Sequence, residues 1–217
     1  MHRSSVRLVT ISREFGAGGS DLARALGERL GWPVLDHDIV HRVAARLKLD
    51  DQAVERFDEH APSLLARIAT VLIVPTPDLY SPPETLQVPS HDAIAGATRR
   101  VMEAAAATLP LIVVGHGAQS VFGGRPDALH VRVVAPLEDR AARVAARLGV
   151  DAAHAAALAQ RADHDRQAYF QRYFHHDWRS AHLYDLQVNT GGVPIAAAVA
   201  IVAHLIESRA AAPAGTA

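Results

Sequence analysis

Five short runs of Val, Ile and Leu punctuate the chain, at residues 8–11, 33–36, 111–115, 129–135 and 185–190, mostly apolar on both faces. Runs of that length and composition predict strands buried on both sides, as in a parallel sheet. Between them, apolar positions recur at helical spacing. Leu22, Ala23, Leu26 and Leu30 follow the first run, and Ile39, Val43 and Leu47 follow the second. Ile94, Val101 and Ala105 mark another stripe, behind a candidate cap at Ser90. Leu137, Ala141, Val144 and Leu148 are opened by Pro136 and closed by Gly149, and Ile195, Val199, Val202 and Ile206 follow Pro194. Strands alternating with helices predict an α/β fold, a doubly wound five-stranded parallel sheet with helices on both faces. Ligands bind such sheets outside the carboxyl ends of the strands. A glycine-dense turn, Asp36 and the segment 115–119 all fall there.

Two segments depart from this repeat. Residues 50–89 form an insertion, an apolar stretch at 64–74 followed by a proline-rich loop at 75–89. It reads as a cover on the crevice or as an interface, through which a homodimer would form. Residues 210–217 are small and uncharged, and predict a disordered tail. The remainder, 1–209, reads as one domain.

Composition narrows the function. At 217 residues the chain buries roughly 70% of its unfolded surface. Its 22 basic and 23 acidic residues give a net charge of -1, so no general attraction to nucleic acid or membrane is expected. The absence of cysteine excludes disulfides, thiolate metal sites and a cysteine nucleophile together. The N-terminus meets the first strand without room for a signal peptide, and no apolar run approaches the 18 or so residues that span a bilayer. A cytoplasmic protein is expected. The 13 histidines are scattered, and His175-His176 predicts a solvated or substrate-facing surface rather than a metal site.

The segment Ser12-Arg13-Glu14-Phe15-Gly16-Ala17-Gly18-Gly19-Ser20-Asp21 carries the chemistry. A strand, a glycine turn and a helix bring backbone N–H groups together on an anion. Against the usual phosphate-loop pattern G-x-x-x-x-G-K-[ST], Arg13 stands at the first glycine and Gly19 at the lysine. Ser20 keeps the hydroxyl that reaches a magnesium ion. A sharp turn without any ligand explains the glycines equally well, and Asp36 suits either a helix cap or a ligand contact.

Taken in order, these pieces resemble the cytidylate kinase-like family of nucleoside monophosphate kinases, over residues 6–206. The stretch from Ser12 to Gly19 is similar to that family's own loop variant, which also lacks the lysine. Leu35-Asp36-His37-Asp38, with Arg42 on the following helix, matches the segment that meets the acceptor phosphate. Val114-Gly115-His116-Gly117-Ala118-Gln119 resembles the motif that holds the acceptor nucleotide. Arg161-Ala162-Asp163-His164-Asp165-Arg166, with Tyr169, Arg172 and Tyr173, is similar to the arginine-bearing helical lid, placed at 151–182. Tyr184-Asp185-Leu186-Gln187-Val188-Asn189-Thr190 matches the last strand.

The resemblance implies a P-loop kinase fold and phosphoryl transfer from ATP with Mg²⁺ to a nucleoside monophosphate, CMP or dCMP. It assigns Gly16, Ala17, Gly18, Gly19, Ser20 and Asp21 to the ATP phosphates, with Ser20 on the metal, and Asp36, Arg42, His116 and Gln119 to the acceptor. Arg161, Arg166 and Arg172 are the lid cations, and Arg13, Arg161 and Arg166 the catalytic ones. Such transfer needs positioning and positive charge rather than covalent chemistry, and guanidinium binds two phosphate oxygens at once. The aromatics Tyr169, Phe170, Tyr173, Phe174 and Trp178 stack on a base or pack the lid. Relatives commonly carry an arginine where His116 stands, and cytidylate kinases proper an aspartate at Gly117. A nucleotide sensor with little turnover, or a kinase for another small acceptor, therefore stands beside the first reading.

Overall fold

Leu8, Val9 and Ile11 are almost fully withdrawn from water in β1 (Leu8–Arg13), the central strand of the sheet. The computed structural model describes residues 5–36, 91–108 and 110–211. Beyond β1 the chain forms α1 (Gly19–Leu30), β2 (Val34–Leu35), α2 (His91–Thr108), β3 (Leu111–Val114) and a short α3 (Ala118–Val121). It continues through β4 (Ala128–Val134), α4 (Leu137–Leu148), α5 (Ala152–Phe174), a 3₁₀ turn at Ala181–Leu183, β5 (Leu186–Asn189) and α6 (Ile195–Ala211). The sheet order is β2-β3-β1-β4-β5 with every pair parallel, as the five apolar runs predict. The insertion at 50–89 with its homodimer contact, Arg42, and the stripe Ile39, Val43 and Leu47 lie outside the described residues. Helix α6 runs to Ala211, into the segment expected to be frayed.

Side chains alternate across each strand, so the two faces build separate cores. Val9, Ile11, Ile112, Val114, Leu129, Val131 and Val133 pack under α1 and α6. Leu8, Leu111, Val113 and Ala128 pack with Met102, Ala105 and Phe122 under α2 and α3. The second face turns polar toward the carboxyl ends, where the sequence had suggested apolar residues on both sides. Register places Thr10 beside His130 and Ser12 beside Arg132, all four buried. Helix α4 also departs from its expected stripe: Leu148 is 53% exposed, whereas Arg140 is buried on the inner face. The reason is chemical, since Arg140 finds carboxylate and carbonyl partners there.

Thr10 Oγ1 and His130 Nδ1 are hydrogen-bonded at 2.8 Å between the two strands. Burial lowers the imidazole pKa below its usual value, against the opposing pull of Asp185. A histidine depressed in the fold contributes stability that is present above about pH 6.5 and is lost as pH falls through its folded value. Melting temperatures measured from pH 7.5 down to 5 are expected to fall less steeply in His130→Asn than in the unaltered protein. Equal slopes would contradict this assignment.

Candidate active site

The glycine loop leaves the carboxyl end of β1 and enters α1 through Gly16 and Gly18, both left-handed at φ 80 and 83. Only glycine takes these angles without strain. The loop is packed closely from behind. A Cβ on Gly16 would stand 2.9 Å from the Arg140 carbonyl oxygen, and one on Gly18 2.9 Å from Ile195 Cδ1. Gly18 caps α1 with no side-chain acceptor, so the first-turn N–H groups lack the usual capping oxygen. The Ala17 N–H donates to the Glu14 carbonyl, and its own carbonyl accepts from Thr190 Oγ1. The N–H groups of Gly16, Gly18, Gly19 and Ser20 bond to no described oxygen. Asp21 is held sideways by Arg24 and Arg147.

The Arg13 side chain packs against two glycines, Gly19 and Gly115. A Cβ on Gly19 would lie 2.6 Å from Arg13 Cβ, and one on Gly115 would run into the Arg13 guanidinium. The side chain thus crosses the loop and ends over the turn after β3. Burial and the neighbouring Arg166 lower its pKa to about 10, while Asp36 pulls the other way. It remains cationic at neutral pH. Burial likewise lowers Arg166, with Asp163 opposing. Two guanidinium groups in one sheltered site can receive an anion, although Arg166 is also paired with Asp163 at 2.8 Å.

Both line a cavity of about 660 Å³ at the carboxyl ends of β1 and β3. Ser12, Ala95 and Thr98 form part of its wall, and Tyr169, Tyr173 and Arg172 another part. Its described lining contains no carboxylate. His116 reaches it from the turn Gly115-His116-Gly117, left-handed at all three residues, and Gln119 from the first turn of α3. Gly117 is required by packing as well, because a Cβ there would penetrate the Phe174 ring. Gln119 Nε2 donates to Tyr184 Oη at 3.0 Å, and that hydroxyl donates to the Trp178 carbonyl at 2.6 Å. Asp36 bears on the site through Arg13. Arg172 lines the cavity from an exposed position, whereas Arg161 is exposed and away from it. The aromatic cluster serves two ends: Phe170 and Trp178 are buried, and Tyr169 and Tyr173 face the cavity with ring centroids 4.7 Å apart. His176 Nε2 is 3.0 Å from Ser120 Oγ.

A buried ionic network links this wall to the loop. Glu14 lies 3.6 Å from both Arg132 and Arg140, and accepts the Ala135 N–H. Asp163 accepts from Arg140, from Arg166 and from the Phe15 N–H at 2.8, 2.8 and 2.9 Å. Arg132 and Arg166 also lie against the Trp178 ring, 4.9 and 5.2 Å from its centroid. Reasoning from sequence missed Glu14, Arg132, Arg140 and Asp163 as site residues. A signal was present: Arg132 interrupts the run Leu129 to Val134, and Arg140 shares the inner face of α4 with Val144. A charge on a buried face demands a partner.

Among the described residues no three His, Asp or Glu side chains gather for a metal. Magnesium bound with nucleotide needs no such cage, since one or two protein oxygens, phosphate and water complete its shell. The exposed Ser20, in the first turn of α1, fits that requirement. No helix of the described residues is long and apolar enough to cross a membrane.

An uncharacterized protein from Eubacterium ventriosum ATCC 27560 superposes with a TM-score of 0.68 at 20% identity, covering 93% of this chain and 98% of that one. Shikimate kinase from Bacteroides thetaiotaomicron is similar at a TM-score of 0.49 and 15% identity, covering 92% of this chain and 98% of that one. The first of these, at 20% identity, is a likeness of fold. No curated protein matches the chain. The family model described as cytidylate kinase-like matches residues 8–192, most of the sequence, and the chain belongs to that kinase-like family.

Proposed function

We propose that the protein transfers the γ-phosphoryl group of ATP to a nucleoside monophosphate, CMP or dCMP. The observation that carries this reading is the pair Arg13 and Arg166, two guanidinium groups lining one cavity whose described lining has no carboxylate. A phosphoryl group in flight spreads negative charge over its oxygens, and preorganised cations stabilise it most. In this reading the free N–H groups of Gly16, Gly18, Gly19 and Ser20 cradle the ATP phosphates. Ser20 would hold Mg²⁺, which supplies further neutralisation of the phosphate charge when bound. The acceptor enters beside His116 and Gln119, with Tyr169 and Tyr173 offering π-faces to its base and Arg42 as the proposed clamp on its phosphate. The pyrimidine assignment rests on the family. The cytoplasm supplies both substrates and is the proposed location.

Simultaneous occupation by donor and acceptor gives a direct test. ATP–Mg²⁺ with CMP is expected to raise the melting temperature beyond either ligand alone, since each bound ligand adds its own linkage term. Stabilisation by ATP that no monophosphate extends would instead favour a nucleotide sensor.

A further inference from the structure

We propose that Asp163 is a positioning residue: it fixes the Arg166 guanidinium in register with the glycine loop. This inference rests on the phosphoryl-transfer reading and adds to it a residue that touches neither substrate. The geometry is specific. Oδ1 of Asp163 accepts both from Arg166 Nη1 at 2.8 Å and from the Phe15 backbone N–H at 2.9 Å. One oxygen therefore joins the lid arginine on α5 to the loop residue just before Gly16. The second oxygen accepts from Arg140 Nη1 at 2.8 Å, and the same Arg140 nitrogen donates to the Phe15 carbonyl at 3.1 Å. Loop, α4 and α5 thus share one buried carboxylate, whose side chain is 9% exposed.

Arg166 needs such a tether. It lines the same cavity as Arg13, and its guanidinium lies over the face of Trp178, which holds it without direction. A long side chain held only by a ring face would otherwise sample several rotamers. The charged hydrogen bond opposes that motion and is directional. Because the anchor is the loop's own backbone, a shift of α5 carries Arg166 and Phe15 together, and the distance from guanidinium to phosphate is preserved. A misplacement of about 1 Å at a reacting centre is enough to cost a hundredfold.

The rival role is a buried counter-ion to Arg140, with no bearing on Arg166. A double-mutant cycle separates the two. Asp163→Asn keeps the shape, and Arg166→Met keeps the aliphatic stem on Trp178 while removing the cation. Both turnover per folded molecule and the dissociation constant for ATP–Mg²⁺ are read. Asp163→Asn is expected to lower turnover about tenfold or more and to weaken ATP about threefold to tenfold. In the Arg166→Met background it is expected to change neither by more than about twofold. Losses that multiply in that background, or wild-type values in Asp163→Asn, would overturn the proposal. If Asp163→Asn does not fold, Asp163→Glu keeps the charge for Arg140 but displaces the guanidinium by a methylene, and the same criteria apply. Wild-type protein without turnover on any monophosphate would reject the phosphoryl-transfer reading alone, and the ATP-binding cycle would then decide the role of Asp163.

Discussion

Replacing Arg13 by alanine is expected to lower turnover by about a hundredfold, near 2.7 kcal/mol of transition-state stabilisation, while the fold survives. Three observations lead there. The loop has glycine where a lysine usually stands, the Arg13 side chain lies over that glycine, and it lines the same cavity as Arg166. The competing role is structural, a salt bridge to a neighbouring carboxylate that stiffens the loop. Glu14 does not fit it, being taken up by Arg132 and Arg140. Asp36 does act favourably on Arg13, so part of the loss could fall on stability. Melting temperature and turnover measured on one preparation divide the two. A mutant with a lowered melting temperature but wild-type turnover per folded molecule would return Arg13 to a structural role.

Restoring the usual lysine is expected to harm the protein. In Gly19→Lys the new Cβ would need the space of Arg13 Cβ, at 2.6 Å, and Cγ, at 2.9 Å. These are the atoms nearest the backbone of β1 and the least able to move. Overpacking of this kind costs about 1–3 kcal/mol, or several degrees of melting temperature in a chain of this size. The displaced Arg13 and a third cation beside Arg166 would lower turnover by about tenfold or more. The paired variant Arg13→Ala, Gly19→Lys removes the clash and returns one cation to the loop. It is expected to exceed both single variants in turnover. A single Gly19→Lys protein at or above wild-type activity would show that Arg13 and a lysine do not compete for one place.

The fold was largely legible because parallel strands buried on both sides leave compact apolar runs. Each of the five matched a strand, with ends shifted by a residue or two. The polar half of one sheet face was not legible. His130 and Arg132 sit among Val131, Val133 and Val134, and a pattern of short apolar runs absorbs them. The buried network was hidden for a related reason. Asp163 and Arg166, three apart on a helix, look like an ordinary surface pair. Only the approach of Phe15 and Arg140 from distant parts of the chain turns that pair inward. Among the candidate site residues, Arg13, His116, Gln119, Arg166 and Arg172 converge on one cavity. Arg161 does not, and spacing alone could not distinguish it, because α5 turns it toward solvent.

The most direct measurement follows the phosphoryl group itself. ATP labelled on its γ-phosphate is incubated with purified protein, Mg²⁺ and, in separate reactions, each nucleoside monophosphate. The nucleotides are then separated. Label appearing in CDP or dCDP, in preference to purine diphosphates and dependent on Arg13, is the predicted result. Label that stays in ATP, or passes only to inorganic phosphate with every acceptor, would contradict phosphoryl transfer to a nucleotide.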